Sequence, residues 1–413
     1  MSLLSPPAHR SAGLLGPGAM RVAAPRTHAN DSAPVPLGRD ARLDMFRGIA
    51  LVMIFINHVP GTIYEGITSR NFGFSDAAEA FVFMSGMAAG LAYSNGFRTG
   101  SLWLATSRVW ARARQLYFVH ITITMLCLAI FAAGALWFNL PEVMQRNNVT
   151  PIYGKPLATL IGIPLLSHQL GYLNILPLYT VLLLATPLLL VIGLRRPFLL
   201  LALSVALWVV AGQFRLNIPS FPNSGGWFFN PFSWQLLFVI GLLSGAAMKV
   251  GQRFIPFRPV LFGLAAAFVL LVLLWMKIPP LGSLGRAGLS WLSSIGAPFY
   301  ITWFDKTFLA LPRLLHALAL FYLLGHLPFM RTIAASAIAA PFRLLGRQGL
   351  AVFAAGTVIS MALQVVKTPR APDPLFDGLI LGAGLLLLLA LAWLLTRTAE
   401  LKTAARTGTP SRA

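Results

Sequence analysis

Apolar residues along this chain gather into long, nearly unbroken stretches separated by short polar or Pro/Gly-marked breaks. A helix crossing the roughly 30 Å hydrocarbon core of a bilayer needs about 17 to 25 such residues. About ten stretches meet that need, at 43–60, 75–95, 115–138, 171–194, 197–214, 231–249, 258–277, 312–330, 345–367 and 376–396. The pattern predicts an all-α integral membrane protein whose single transmembrane domain occupies residues 42–397. Residues 139–170 and 278–311 join spans on the outer side. They carry apolar and aromatic runs (IGIPLLSHQLGYLN and LSWLSSIGAPFYITWFDK) that predict short helices at the membrane surface and a covered site. Residues 1–41, rich in Pro, Ala, Gly and Ser, read as a disordered cytoplasmic tail, and 398–413 as a second cytoplasmic tail.

Composition agrees with a bilayer. The chain is 57% hydrophobic and 10% charged, with mean hydropathy +0.75, against about 25% charged residues in soluble domains. A net charge of +21 raises nucleic acid as a partner, but the placement of the cations argues otherwise. With ten spans and both termini cytoplasmic, 22 of the 32 Lys and Arg residues fall on the inner side. That asymmetry is the positive-inside signal of a membrane protein, and the lipid bilayer takes the place of nucleic acid as the expected partner. No fixed-period repeat, Gly-rich phosphate loop or metal-ligand spacing is present, and the single Cys127 permits no internal disulfide. No metal and no permanently bound cofactor are expected.

Ionisable side chains inside spans cost about 2.5–3.5 kcal/mol each on insertion scales, which makes each a functional candidate. In RLDMFRGIALVMIFINHVP, Arg47, Leu51, Ile54 and His58 share a helix face, with Arg47 and His58 about 16 Å apart along the axis. The next span opens SDAAEAFVF and places Asp76 and Glu79 at the level of His58. A histidine beside a carboxylate is a good general base, because the carboxylate orients the ring and stabilises the imidazolium. The same two carboxylates also suit the N-terminal cap of a helix, and that structural reading competes with the catalytic one. Further polar residues expected on the outer, acceptor or oxyanion side are Asn57, Arg70, Asn174, Asn230, Asp305, Arg313 and His316. On the cytoplasmic side, Arg47, Arg112 and Arg114 form a candidate phosphate-binding group, since guanidinium forks match phosphate oxygens. Most other basic residues there are ordinary topology determinants.

Taken in order, RLDMFRGIALVMIFINH, NFGFSDAAEAFVFMSGMAAGLAY, YLNILPLY, FNPFSWQLLFVIG, FDKTFLALPRLLHALALF and LGRQGLAVFAAG resemble the OpgC family, the succinyltransferases of osmoregulated periplasmic glucans. The resemblance covers roughly residues 39–395, and the family is itself related to the acyltransferase-3 superfamily. It implies a multi-pass protein of the bacterial inner membrane that takes succinyl-CoA, or another acyl-CoA, as a cytosolic donor substrate and a periplasmic glucan as acceptor. It implies His58 as catalytic base with Glu79 as its acidic companion, and an acyl donor entering from the side where Arg47, Arg112 and Arg114 lie. The rival reading is a proton-coupled transporter or exporter of a glycan or small anion, with His58, Asp76 and Glu79 as a relay.

Overall fold

The computed structural model describes residues 40–407. The expected N-terminal tail lies outside the described residues except for Asp40 and Ala41, as do residues 408–413 of the expected C-terminal tail. The helices in chain order are α1 (Ala41–Asn57), α2 (Ala77–Thr99), α3 (Leu102–Trp137), α4 (Pro151–Gly154), α5 (Pro156–Gly162), α6 (Ile175–Arg195), α7 (Pro197–Gln213) and α8 (Pro231–Met248), then α9 (Pro259–Lys277), α10 (Pro279–Ser294), α11 (Phe299–Thr302), α12 (Leu311–His326), α13 (Phe329–Ala335), α14 (Ala340–Arg347), α15 (Gly349–Lys367) and α16 (Pro374–Thr407). Many open on proline, whose fixed φ and missing N–H cost nothing in a first turn. No β-strand occurs among the described residues.

Every one of the ten apolar stretches contains a helix, but fewer qualify as spans by length and composition. Six do so (α3, α6, α8, α9, α15 and α16), and a seventh appears if α12 and α13, bent by 79° at their junction, count together. Helices α1 and α7 stop at 17 residues, and α2 carries Glu79, Ser85, Gly86 and Gly90 within its apolar run. Helix α3 begins well before the apolar stretch 115–138 and takes in the basic residues Arg108, Arg112 and Arg114, running unbroken for 36 residues. Between Leu102 and Trp137 there is no proline, and the first glycine is Gly134, while Ala, Arg, Leu and Gln are strong helix formers. For the same reason α16 continues through TAELKTAART to Thr407. The connections over 139–170 and 278–311 do contain short helices, α4 and α5 in one and α10 and α11 in the other.

Helix α8 forms the centre, with Trp234, Leu237, Phe238 and Val239 fully enclosed. It lies against α2 at very short range. A Cβ added to Gly86 or Gly90 would overlap the backbone of Phe238 or Leu242, and one on Gly241 or Gly245 would overlap that of Phe83 or Met87. Paired small residues let the two backbones touch, which is how helices gain packing energy where lipid removes the hydrophobic drive between them. Gly48 of α1 and Gly346 of α14 interlock in the same way. Large apolar side chains on α3, α9 and α16 point outward, among them Leu126, Leu264 and Leu386. An apolar exterior, with polar side chains such as Glu79, Asn230 and Asp377 kept inside the apolar core, is the arrangement expected of a membrane protein.

Candidate active site at the His58 end of the bundle

The C-terminus of α1 and the N-termini of α2 and α12 meet at one end of the bundle. Asp76 is the N-cap of α2: its Oδ1 accepts from the Ala78 N–H at 2.8 Å, and the Asp76 N–H donates to Glu79 Oε2 at 2.9 Å, closing a capping box. The remaining carboxylate oxygens face cations. Lys306 Nζ stands 2.5 Å from Asp76 Oδ2, Arg313 Nε donates to Glu79 Oε1 at 2.8 Å, and Arg313 Nη2 reaches Asp76 Oδ2 at 3.3 Å. The Glu79 side chain is 0% exposed and that of Arg313 12%. The capping reading is therefore realised, alongside ion pairs to Lys306 and Arg313. Neither carboxylate hydrogen-bonds His58, contrary to the expected acid–base pair, because Arg313 and Lys306 occupy the oxygens that an imidazole would need.

Lys306 is placed from behind. The indole N–H of Trp234 donates to the Lys306 carbonyl at 2.9 Å, and that of Trp208 donates to the Leu309 carbonyl at 3.1 Å. These bonds fasten the turn before α12 to α7 and α8. One turn beyond Arg313, His316 Nδ1 accepts from the Ser75 hydroxyl at 2.7 Å and lies 3.3 Å from the Ser75 N–H. A backbone donor at Nδ1 leaves the proton of the neutral ring on Nε2. Gly73 lies flat against that ring, where a Cβ would collide with it. His316 thus locks the approach to α2.

His58 is held differently. Its carbonyl accepts from Gln364 Nε2 at 2.7 Å, and Gln364 Oε1 accepts from Asn147 Nδ2 at 2.7 Å. The Asn147 carbonyl accepts from the Gly171 N–H at 2.8 Å, and the next residue, Tyr172, packs its ring 4.7 Å from the His58 ring. Tyr172 adopts φ 69°, a left-handed conformation costing about 1–3 kcal/mol for a bulky residue and concentrated at functional sites. The backbone and one face of His58 are fixed, yet among the described residues no group hydrogen-bonds its ring nitrogens. Lys306 and Asp76 are the charges that act on it.

The other expected residues divide into engaged and available. Asn230 is fully buried and spent at both ends, capping Phe232 at 3.0 Å and donating to the Leu216 carbonyl at 2.7 Å. Asp305 caps the Phe308 N–H at 2.7 Å, Asn174 donates to Gln169 at 3.1 Å, and Arg70 pairs with Glu65. Asn57 accepts from the Thr68 hydroxyl at 2.9 Å, and its amide N–H groups have no partner among the described residues. At the opposite end of α1, Arg47 Nη1 donates to the Gly346 carbonyl at 3.3 Å and stands 3.8 Å from Asp44, which Arg347 also approaches at 3.6 Å. Arg47 and Arg112 both act on the partly buried Tyr179. Arg114 is exposed and turned away, since residues two apart on a helix project about 200° apart.

Tyr179, Phe81, Val82, Ser85 and Phe238 line a narrow apolar seam between the two ends. Sequence reasoning missed the positioning roles of Tyr172, Ser75, Gln364 and Asn147. Gln364 carried a usable signal, an amide inside an apolar stretch, which in lipid needs a partner. Tyr172 carried none, because its backbone conformation follows from the loop around it. No grouping of His, Cys, Asp and Glu suited to a metal occurs among the described residues. No match to the chain is found among curated proteins. A family model described as OpgC protein matches residues 39–400, nearly the whole chain, and the chain belongs to that family.

Proposed function

We propose that this chain is a multi-pass O-acyltransferase of the bacterial inner membrane, of about ten spans with both termini cytoplasmic. It moves an acyl group, succinyl by family, from cytosolic acyl-CoA to hydroxyls of periplasmic glucans. Membership in the OpgC family supports a transferase acting on glucans. The observation that carries the chemistry is the His58 ring: fixed in place, unbonded at both nitrogens, and beside a charge-balanced cluster. The shared pattern Asp44-x-x-Arg47-Gly48, His58 and Glu79 before Ser85-Gly86 supports kinship with the acyltransferase-3 superfamily.

In this reading His58 takes the proton of a sugar hydroxyl as the oxygen attacks the thioester carbonyl. The tetrahedral oxyanion accepts hydrogen bonds, with the unengaged amide of Asn57 the nearest candidate in sequence. Its collapse breaks the C–S bond, and the imidazolium returns the proton to the leaving thiolate. Atoms and charge balance without a metal or a covalent acyl-enzyme. Asp76 and Glu79 act as positioning residues through Lys306 and Arg313 rather than as direct partners of the base. Arg47 and Arg112 supply charge for the donor's phosphates, and the acyl arm reaches His58 only when the Tyr179 seam opens.

The test is a His58→Ala strain whose periplasmic glucans are analysed by mass spectrometry. Loss of the acyl mass with normal protein level supports the reading, and retained acylation removes it. Purified protein should also consume acyl-CoA in the presence of glucan, which a transporter would not do.

A further inference from the structure

Beside the His58 end, α10 and the turn after α11 enclose an open cleft of about 630 Å³, within the roughly 300–1,000 Å³ of small-molecule sites. One side of α10 contributes Arg286, Ser290 and Ser293 at spacings that keep them on a single face. Opposite stand Trp303, 57% exposed, and Phe304. Among the described residues the Arg286 guanidinium and the hydroxyls of Ser290 and Ser293 have no hydrogen-bond or ion-pair partner. Phe304 continues inward: its ring lies 4.7 Å from Phe74, which in turn lies 5.3 Å from Trp275 and 6.1 Å from His316. Phe74 directly precedes Ser75 and Asp76, so an aromatic wall runs from the cleft to the ionic cluster.

We infer that this cleft is a saccharide subsite, in which Trp303 stacks on the face of a glucose unit while Arg286, Ser290 and Ser293 bind its hydroxyls. A pyranose has an apolar C–H face and a rim of hydroxyls, and this wall matches both, with an aromatic plane on one side and several unspent donors on the other. The open mouth suits a polymer that extends beyond the site. Hydrocarbon chains would leave the guanidinium and hydroxyls unsatisfied. The inference rests on the glucan reading above and extends it by stating where the acceptor is held while one of its hydroxyls reaches His58.

The test measures binding, with no acyl donor present, of unsubstituted glucan isolated from the periplasm of cells lacking this protein. The full chain is placed in phosphatidylcholine nanodiscs, and binding is followed by equilibrium dialysis. Trp303→Ala should weaken binding at least tenfold, Trp303→Phe about threefold, and Ser290→Ala with Ser293→Ala severalfold. Trp291→Ala, an exposed tryptophan outside the cleft, should change binding less than twofold. Trp303→Ala should also raise KM for glucan in the transfer assay. Unchanged glucan binding in the Trp303 and Ser290/Ser293 variants, with acyl transfer intact, overturns the subsite and leaves the proposed function standing. Glucan binding that depends on Trp303 in a protein that transfers no acyl group supports the subsite and overturns the enzyme reading. Binding insensitive to Trp303 but displaced by phosphatidylglycerol in the nanodisc marks a lipid headgroup site and overturns the proposal.

Discussion

The two ends of α1 use charge in opposite ways. At the His58 end, Asp76 and Glu79 face Lys306 and Arg313, two anions against two cations, with every close contact made inside the protein. At the Arg47 end, the buried Asp44 faces both Arg47 and Arg347 at longer range, with Arg112 acting on the same neighbourhood through Tyr179. A balanced cluster holds helices in place and leaves no net charge to attract a ligand. An unbalanced one has positive charge to offer an anion. In the proposed function that difference suits the first end to positioning and the second to the donor's phosphates, and it isolates His58 as the polar ring that the balanced end leaves unbonded.

The sharpest test of that division is His58 itself. If its ring is the base, His58→Ala should reduce glucan acylation by about 10²- to 10⁴-fold, the usual contribution of general base catalysis, while immunoblots show unchanged protein. Next in size is the balance. Glu79→Ala leaves Arg313 buried with only the longer contact to Asp76 and should cost about 3–5 kcal/mol of stability, as when one partner of a buried ion pair is removed. Thermal unfolding in detergent should show that loss, with most of it recovered in the apolar double variant Glu79→Leu, Arg313→Met. A Glu79→Ala protein as stable as the parent would show that the ion pair does not hold α2 against α12.

Gly245→Ala should cost about 1–3 kcal/mol, the penalty for overfilling a packed contact, because its methyl meets the Met87 carbonyl. The smallest effect separates two neighbouring arginines. Arg112→Gln should raise KM for acyl-CoA about tenfold, equivalent to one charge-assisted hydrogen bond, whereas Arg114→Gln should change it less than twofold. Equal effects would mean that the Arg47 end recognises its ligand by bulk charge rather than by the placement of Arg112.

Much of this was legible in the residue order. Apolar runs located a helix in each of ten stretches, because burying an apolar surface and satisfying every backbone group within the segment are local requirements. The four-residue spacing of Gly86 and Gly90 suits a close helix contact, and both meet the backbone of α8. The apolar stretch 115–138 captured only the second part of α3, because the Ala- and Arg-rich segment before it favours helix without being apolar.

The sequence alone determined that each of ten apolar stretches holds a helix, which residues are expensive enough in lipid to need a purpose, and that Arg47 and His58 lie at opposite ends of α1, since all of these depend on neighbours within a few turns. Tertiary structure alone decided that Arg313 and Lys306, over two hundred positions away, would take the oxygens of Glu79 and Asp76, and that Tyr172 would be bent against His58. Ion pairing and ring packing act over a few ångströms in space, and only the folded chain brings such distant residues within that range.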